Sequence, residues 1–92
     1  MIVSYRDKRT ERLAAGEHVR EYSGFARQAE MRFDQLDAAT SLGDLRALPG
    51  NRLEALRGDR IGLYSIRIND QWRVCFEWYA GHADDVEICD YH

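Results

Sequence analysis

The spacing of apolar residues changes near the middle of the chain. In the first half, Ala26, Ala29, Phe33 and Leu36 recur every three or four positions, which is typical of a helix with one buried face. From residue 62 onward apolar and polar residues alternate, as they do in strands that bury one face. The pattern predicts helices followed by strands, an α+β fold, in a single domain spanning residues 1–92.

Local signals place the elements of the first half. The β-branched "IVSY" predicts a short strand, and "DKRTERLAA" predicts a helix that Asp7 caps and Gly16 ends. A second helix is expected after Ser23, which is its predicted N-cap. "SLGDLRAL" indicates a short helical or irregular passage that ends at the turn "PGN".

The second half predicts three strands in an antiparallel meander. The segments are "GLYSIRIN", "QWRVCFEWY" and "DVEICDYH", joined by short connections. One face of this sheet is expected to pack on the helices, and the other is expected to be polar. The residues predicted to face inward are Tyr64, Ile66, Ile68, Trp72, Val74, Phe76, Trp78, Val86 and Ile88.

The first hairpin of the meander brings two arginines together. A three-residue loop at 69–71 keeps the apolar residues of both strands on one side and places Arg67 across from Arg73. Like charges directly opposite each other destabilise a sheet by about 0.2–1 kcal/mol. The pair indicates a site for an anion, and a guanidinium fork fits phosphate well. The alternative is that both arginines are solvated or paired with Glu77 or Asp90.

The second hairpin joins the second and third predicted strands, and its register extends to the carboxyl terminus. We predict four pairs across it: Trp78 with Val86, Phe76 with Ile88, Cys75 with Cys89, and Arg73 with Tyr91. The two cysteines match no zinc motif and are expected to stay reduced.

The chain ends on "DYH", three side chains that handle protons. They follow the predicted strand "VEIC". A carboxylate beside His92 favours its charged form and poises the imidazole for proton transfer near neutral pH. The residues predict an active edge formed by Asp90, Tyr91 and His92; the alternative is a flexible terminal histidine.

Composition and charge narrow the function classes. The chain is 45% hydrophobic and 32% charged, as in ordinary globular domains. It has no apolar run of about 20 residues and no secretory signal, so we expect a cytoplasmic protein. Residues 1–52 carry nine Lys or Arg and eight Asp or Glu (+1), and residues 53–92 carry four and eight (−4). A nucleic-acid function therefore requires a local basic site.

One candidate for such a site is "EALRGDRIG", just before the first strand of the meander. Gly58 suits a tight turn that brings backbone close to a ligand, with Arg57 and Arg60 on either side. The alternative is a plain turn with a surface ion pair that includes Asp59.

Several strings together resemble a known family. "LPGNRLEALR", "GDRIGLYSIRINDQWRVCFEW" and the closing "VEICDYH" are similar to the HigB, or "killer protein", branch of the RelE/ParE toxin superfamily. The resemblance covers nearly the whole chain. It implies a RelE/ParE-like fold in which an N-terminal strand and two helices pack on a curved antiparallel sheet (β-α-α-β-β-β).

The resemblance also implies a function. It indicates the toxin of a type II toxin–antitoxin system, a ribosome-dependent mRNA endoribonuclease that inhibits translation without a metal or other cofactor. The implied partners are a HigA-like helix-turn-helix antitoxin, the ribosome and mRNA. Operator DNA is reached only through the antitoxin, and no membrane is involved.

Residue by residue, the resemblance assigns catalysis to His92, Tyr91, Asp90 and Arg73, with Arg73 at the scissile phosphate. The predicted RNA- and phosphate-binding residues are Arg57, Arg60 and Arg67, of which Arg57 occupies a lysine position of the family. Glu54 stands where some members carry a second active-site histidine; it can accept a proton, but it repels phosphate.

Two other functions remain open. One is a ParE-like toxin that inhibits gyrase and cleaves nothing, and the other is a catalytically weak relative that acts as a binding or regulatory partner of its antitoxin. The "DYH" ending favours the nuclease, because a gyrase-binding surface needs no proton-transfer groups there.

Overall fold

The computed structural model describes residues 1–56 and 62–90 and confirms the α+β class. Four strands form one antiparallel sheet in the order β1-β2-β3-β4, and the helices pack on one face of it. The helices are α1 (Lys8–Ala14), α2 (Ala26–Ala38) and α3 (Leu42–Arg46), with 3-10 helices at Arg20–Phe25 and Pro49–Asn51. The strands are β1 (Glu54–Ala55), β2 (Leu63–Arg67), β3 (Trp72–Tyr79) and β4 (His82–Asp90).

The predicted ends of α1 are confirmed. The Asp7 carboxylate accepts a hydrogen bond from the backbone N–H of Thr10 at 2.7 Å, which satisfies a donor that the first turn would leave unpaired. Gly16 follows the helix with φ of 87°, a left-handed conformation that costs glycine little.

The start predicted for α2 is wrong. Ser23 lies inside the 3-10 helix at Arg20–Phe25, where its hydroxyl donates to the carbonyl of Arg20 at 3.0 Å. The α-helix begins only at Ala26, without a side-chain cap. The 3-10 helix is stabilised by packing, because it buries Tyr22 and Phe25 in the core. The predicted stripe on α2 is confirmed: Ala29, Phe33 and Leu36 are buried.

The predicted N-terminal strand is reduced to two isolated parallel bridges, Ile2 with Ala83 and Tyr5 with Val86. Asp85 lies between the two contact points on β4 and has φ of 49°. This residue forms a β-bulge, where the register of β3 and β4 shifts. The bulge interrupts the ladder, and so no continuous strand forms at the amino terminus.

The first hairpin is confirmed. Arg67 lies opposite Arg73, and the backbone N–H of Ile68 donates to the carbonyl of Trp72 at 2.9 Å. The Asn69 side chain holds the turn, because its oxygen accepts from the backbone N–H groups of Gln71 and Trp72, both at 2.9 Å.

The predicted register of the second hairpin is wrong, by three residues next to the turn and by two residues beyond the bulge. A tight turn at Ala80 and Gly81, both at positive φ, pairs Trp78 with Ala83 rather than Val86. Beyond the bulge, β3 residues pair with β4 residues two positions earlier than predicted. Cys75 therefore faces Glu87, and Arg73 faces Cys89 rather than Tyr91. A slip of two residues preserves the faces, so the apolar pattern could not reveal it.

The core lies between the helices and the inner face of the sheet. Phe76, Ile66, Val74 and Val86 are fully buried there. Trp72 stacks on Phe25 with ring centroids 5.1 Å apart. This contact fixes the start of β3 against the helical layer. The outer face of the sheet, predicted to be polar, carries the candidate site.

Candidate functional site

Arg73 is the most buried charged residue in the described part of the chain, with 8% of its surface exposed. Its Nε donates to the hydroxyl of Ser65 at 2.8 Å, and its Nη2 donates to the carbonyls of Arg52 at 2.5 Å and Ser65 at 3.3 Å. These three acceptors are uncharged. The contacts therefore fix the position of the guanidinium without themselves neutralising its charge.

The Arg52 carbonyl reaches Arg73 because of an unusual backbone conformation. Arg52 follows the 3-10 helix at Pro49–Asn51 with φ of 43° and ψ of 59°. This left-handed region is uncommon for a residue with a side chain. Residues held in such conformations often lie at functional sites, where the surrounding structure stabilises them.

Arg67 and Arg73 face each other but turn to different partners. Arg67 forms an ion pair with the Asp70 carboxylate in the β2–β3 turn, whereas Arg73 turns to Ser65 and Arg52. This division relieves the repulsion expected between like charges on adjacent strands. The partner of Arg67, Asp70, is neither of the two carboxylates predicted as alternatives from the sequence, Glu77 and Asp90.

A third arginine, Arg32, reaches this region from α2. Its Nε donates to the carbonyl of Arg67 at 2.6 Å, and its Nη2 donates to the carbonyl of Gly50 at 3.4 Å. Burial and, to a smaller extent, the charge of Arg67 lower the pKa of Arg32. The two guanidinium groups therefore lie close enough to repel each other.

The other predicted site residues are dispersed. Asp90 ends β4 opposite Trp72, and its carboxylate accepts from the Gln71 side chain at 3.2 Å. Glu54 lies in β1, exposed and opposite Ser65. The predicted site residues Arg57, Arg60, Tyr91 and His92 lie outside the described residues.

Two thiols lie next to Arg73 on the outer face. Cys89 faces Arg73 across the strands, and its thiol donates to the Glu87 carboxylate at 3.0 Å. A hydrogen bond with Cys75, burial and the Glu87 carboxylate raise the pKa of Cys89. A raised pKa keeps the thiol protonated and unreactive.

Ser65, Arg52 and Arg32 were not predicted from the sequence. Ser65 had a signal: the predicted first hairpin sets it opposite Cys75, diagonal to Arg73. Arg32 had a weaker one, since it precedes Phe33 at the margin of the buried stripe, from which a long side chain can reach the sheet. The left-handed conformation of Arg52 left no signal, because arginine rarely adopts it.

Two features are absent from residues 1–56 and 62–90. No group of three or more His, Cys, Asp or Glu side chains there is arranged to hold a metal ion. In the same residues, no helix combines the length and apolar character needed to cross a membrane.

Solved structures share this fold. A YoeB dimer from Staphylococcus aureus superposes with a TM-score of 0.57 at 18% identity, covering 99% of this chain and 94% of that one. A YoeB/ParE toxin from Agrobacterium tumefaciens gives 0.54 at 16% identity, with 99% and 96% covered. At these identities the similarity shows the RelE/ParE-like fold alone.

Curated relatives are closer in sequence. Toxin HigB-1 of Vibrio cholerae serotype O1 is 52% identical over 48 residues, which cover 52% of this chain and 50% of that protein. Endoribonuclease HigB of Proteus vulgaris is 36% identical over 61 residues, 66% of this chain and 65% of that protein. The chain thus spans between half and about two-thirds of the length of these relatives.

A family model covers more of the chain than these pairwise matches. The model of the RelE-like toxin of type II toxin–antitoxin system HigB matches residues 4–92. The match includes every strand and helix described above, together with both arginines of the first hairpin. The chain therefore belongs to the HigB-like toxins of the RelE/ParE superfamily.

Proposed function

We propose that the chain is a ribosome-dependent mRNA endoribonuclease, the toxin partner of a HigA-like helix-turn-helix antitoxin. The observation that carries the proposal is the setting of Arg73. A guanidinium held in place by three uncharged oxygens is suited to receive a phosphodiester. The name of the Proteus vulgaris relative, an endoribonuclease, supports the same activity.

The reaction requires no group beyond side chains and RNA. The 2′-hydroxyl attacks the adjacent phosphorus and loses its proton to a base, and the bond to the 5′-oxygen breaks as an acid protonates that oxygen. The products are a 2′,3′-cyclic phosphate and a 5′-hydroxyl. His92 and Tyr91 are the proposed proton carriers, one as base and one as acid, while Asp90 orients the histidine or shares in the transfer.

Arg73 has the electrostatic role in this mechanism. Charge builds on the phosphate oxygens as the 2′-oxygen attacks, and a preorganised cation stabilises that charge without having to reorganise. Arg57, Arg60 and Arg67 are proposed to bind the flanking RNA backbone. The ribosome is proposed to hold the mRNA in the geometry for in-line attack, since orientation alone lowers a barrier by several kcal/mol.

The test is mRNA cleavage on translating ribosomes after induction of the toxin. His92→Ala should reduce cleavage by at least about 100-fold, because general acid–base catalysis contributes 10²–10⁴-fold. His82→Ala is the matched control: His82 is an exposed histidine in the β3–β4 hairpin, and its loss should leave cleavage unchanged.

Both variants should bind the antitoxin as the wild type does, which establishes that they are folded. Cleavage by His92→Ala at the wild-type rate contradicts the catalytic assignment. Inhibition of gyrase by the wild type, without any mRNA cleavage, replaces the proposal with the ParE-like alternative.

A further inference from the structure

Hydrogen bonds hold the Arg32 side chain in place without using all of its N–H donors. Besides the carbonyls of Arg67 and Gly50, it donates through Nη1 to the side-chain oxygen of Gln35 at 3.4 Å. These contacts use three of the five N–H donors of a guanidinium. Two donors remain without a partner among residues 1–56 and 62–90, and two is the number that a bidentate contact with an anion requires.

The charge of Arg32 is not balanced by an ion pair in the described part of the chain. Within the described residues no carboxylate forms an ion pair with it, whereas Arg6, Arg9, Arg12 and Arg67 each have one. The carboxylate that pairs with Arg67, Asp70, is fully exposed, so water screens its charge. The neighbouring guanidinium groups of Arg32 and Arg67 therefore create a local excess of positive charge.

This excess is continuous with the Arg73 site. The Gly50 carbonyl accepts from Arg32, and two residues later the Arg52 carbonyl accepts from Arg73. A β-carbon added at Gly50 would lie 3.2 Å from Nη2 of Arg32, so glycine leaves the space that this arginine occupies. One turn thus anchors two guanidinium groups.

We propose that Arg32 and Arg67 form a second phosphate-binding site, for a phosphodiester of RNA next to the one bound by Arg73. This inference rests on the proposed function. Two guanidinium sites anchored to one turn suit a polymer that carries a phosphate on every unit. An acidic peptide does not carry a charge on every unit of its backbone.

The experiment compares Arg32→Gln with Arg32→Lys, because glutamine removes the charge and lysine retains it. The control is Arg9→Gln, which removes an exposed arginine that is paired with Glu21. The probe is a single-stranded oligoribonucleotide with 2′-O-methyl groups throughout, which cannot be cleaved. Its Kd is measured by fluorescence anisotropy over a series of salt concentrations, and thermal unfolding monitors the stability of each variant.

Arg32→Gln should weaken binding several-fold and reduce the slope of log affinity against log salt by about 0.7, the value for one lost phosphate contact on a single strand. Arg32→Lys should recover most of the affinity and the slope. Arg9→Gln should match the wild type.

Two results would overturn the inference. An unchanged slope in Arg32→Gln would mean that the side chain only holds α2 to the sheet. A loss of antitoxin binding without any loss of RNA binding would assign the site to an acidic protein.

The two proposals fail separately. Absence of mRNA cleavage by the wild type refutes the proposed function, whatever Arg32 does. Normal cleavage together with an Arg32→Gln salt slope equal to that of the wild type refutes only the second phosphate site.

Discussion

The two faces of the sheet are both buried in part, but by different means. On the inner face, Phe76, Val74 and Val86 pack against the helices through apolar contacts, which have no preferred direction. On the outer face, Ser65 and Arg73 are also buried, but a hydrogen bond between particular atoms holds them. The inner face requires a suitable volume, whereas the outer face requires particular donors and acceptors.

This difference separates stability from function. A cavity on the inner face weakens the fold as a whole but leaves the outer hydrogen bonds in place. A lost acceptor on the outer face leaves a buried charged donor unsatisfied and changes where the guanidinium points. We expect substitutions on the inner face to act mainly on unfolding and those on the outer face mainly on cleavage.

The largest effect on stability is expected from Phe76→Ala, which empties the centre of the inner face. Removal of this fully buried ring should lower the free energy of unfolding by about 3–5 kcal/mol. Denaturant titration measures the loss. Cleavage per folded molecule, assayed at low temperature, should stay within roughly tenfold of the wild-type rate, a change of no more than about 1.4 kcal/mol in the barrier.

Tyr79→Ala is the control for this change. Tyr79 lies on the same strand with 77% of its surface exposed, so its removal leaves no cavity. Its free energy of unfolding should change by about 0.5 kcal/mol or less. If Phe76→Ala and Tyr79→Ala lower the free energy of unfolding equally, the inner face is not the main source of stability.

An intermediate effect is expected from Ser65→Ala, which removes the acceptor of Arg73 Nε. A hydrogen bond to a charged group contributes about 1.5–3 kcal/mol, and we expect part of this energy to appear as slower cleavage, by roughly tenfold. Ser65 acts through Arg73 and is therefore a positioning residue. Cleavage on translating ribosomes measures the part of the lost energy that appears as a slower reaction. Denaturant titration measures the part that appears as a lower free energy of unfolding.

A double-mutant cycle with Arg73→Lys distinguishes positioning from a general structural role. Lysine lacks the Nε that Ser65 holds, so Ser65→Ala should slow an Arg73→Lys variant very little. Rate losses that add fully in the double variant would show that Ser65 acts independently of Arg73.

How far the sequence could predict this molecule depends on the kind of interaction. Apolar period predicted the stripe of α2 and the faces of β2 and β3, because burial repeats with the geometry of the element. It could not fix the register of β3 and β4. That register depends on Ala80 at positive φ and on the bulge at Asp85, two local conformations with no regular pattern.

The candidate site was predictable only in part, for a similar reason. Arg67 and Arg73 were placed together by a loop length, and the structure confirms that pairing. Their partners were not predictable, since Asp70, Ser65 and the Arg52 carbonyl are selected by directional hydrogen bonds. Arg32 comes from a helix 35 residues away in sequence from Arg67, and only tertiary packing brings the two together.

The smallest effect is expected from Asp44→Asn, which tests whether burial or the number of hydrogen bonds gives the outer face its importance. The Asp44 carboxylate accepts three bonds, from the N–H and hydroxyl of Thr40 and the N–H of Ser41, but all three are exposed. These bonds lower the pKa of Asp44. The resulting stabilisation is present above the unfolded-state pKa of about 3.9 and is lost as pH falls through the lower folded-state pKa.

Thermal unfolding of wild type and Asp44→Asn across pH 2–7 measures this contribution. The two midpoints should differ slightly at neutral pH, with the wild type more stable, and should converge in acid once the carboxylate is protonated. Asp34→Asn, at an exposed aspartate of α2, is the control and should follow the wild type. A loss in Asp44→Asn as large as that in Ser65→Ala would contradict the comparison, because three exposed hydrogen bonds would then equal the buried ones of Arg73.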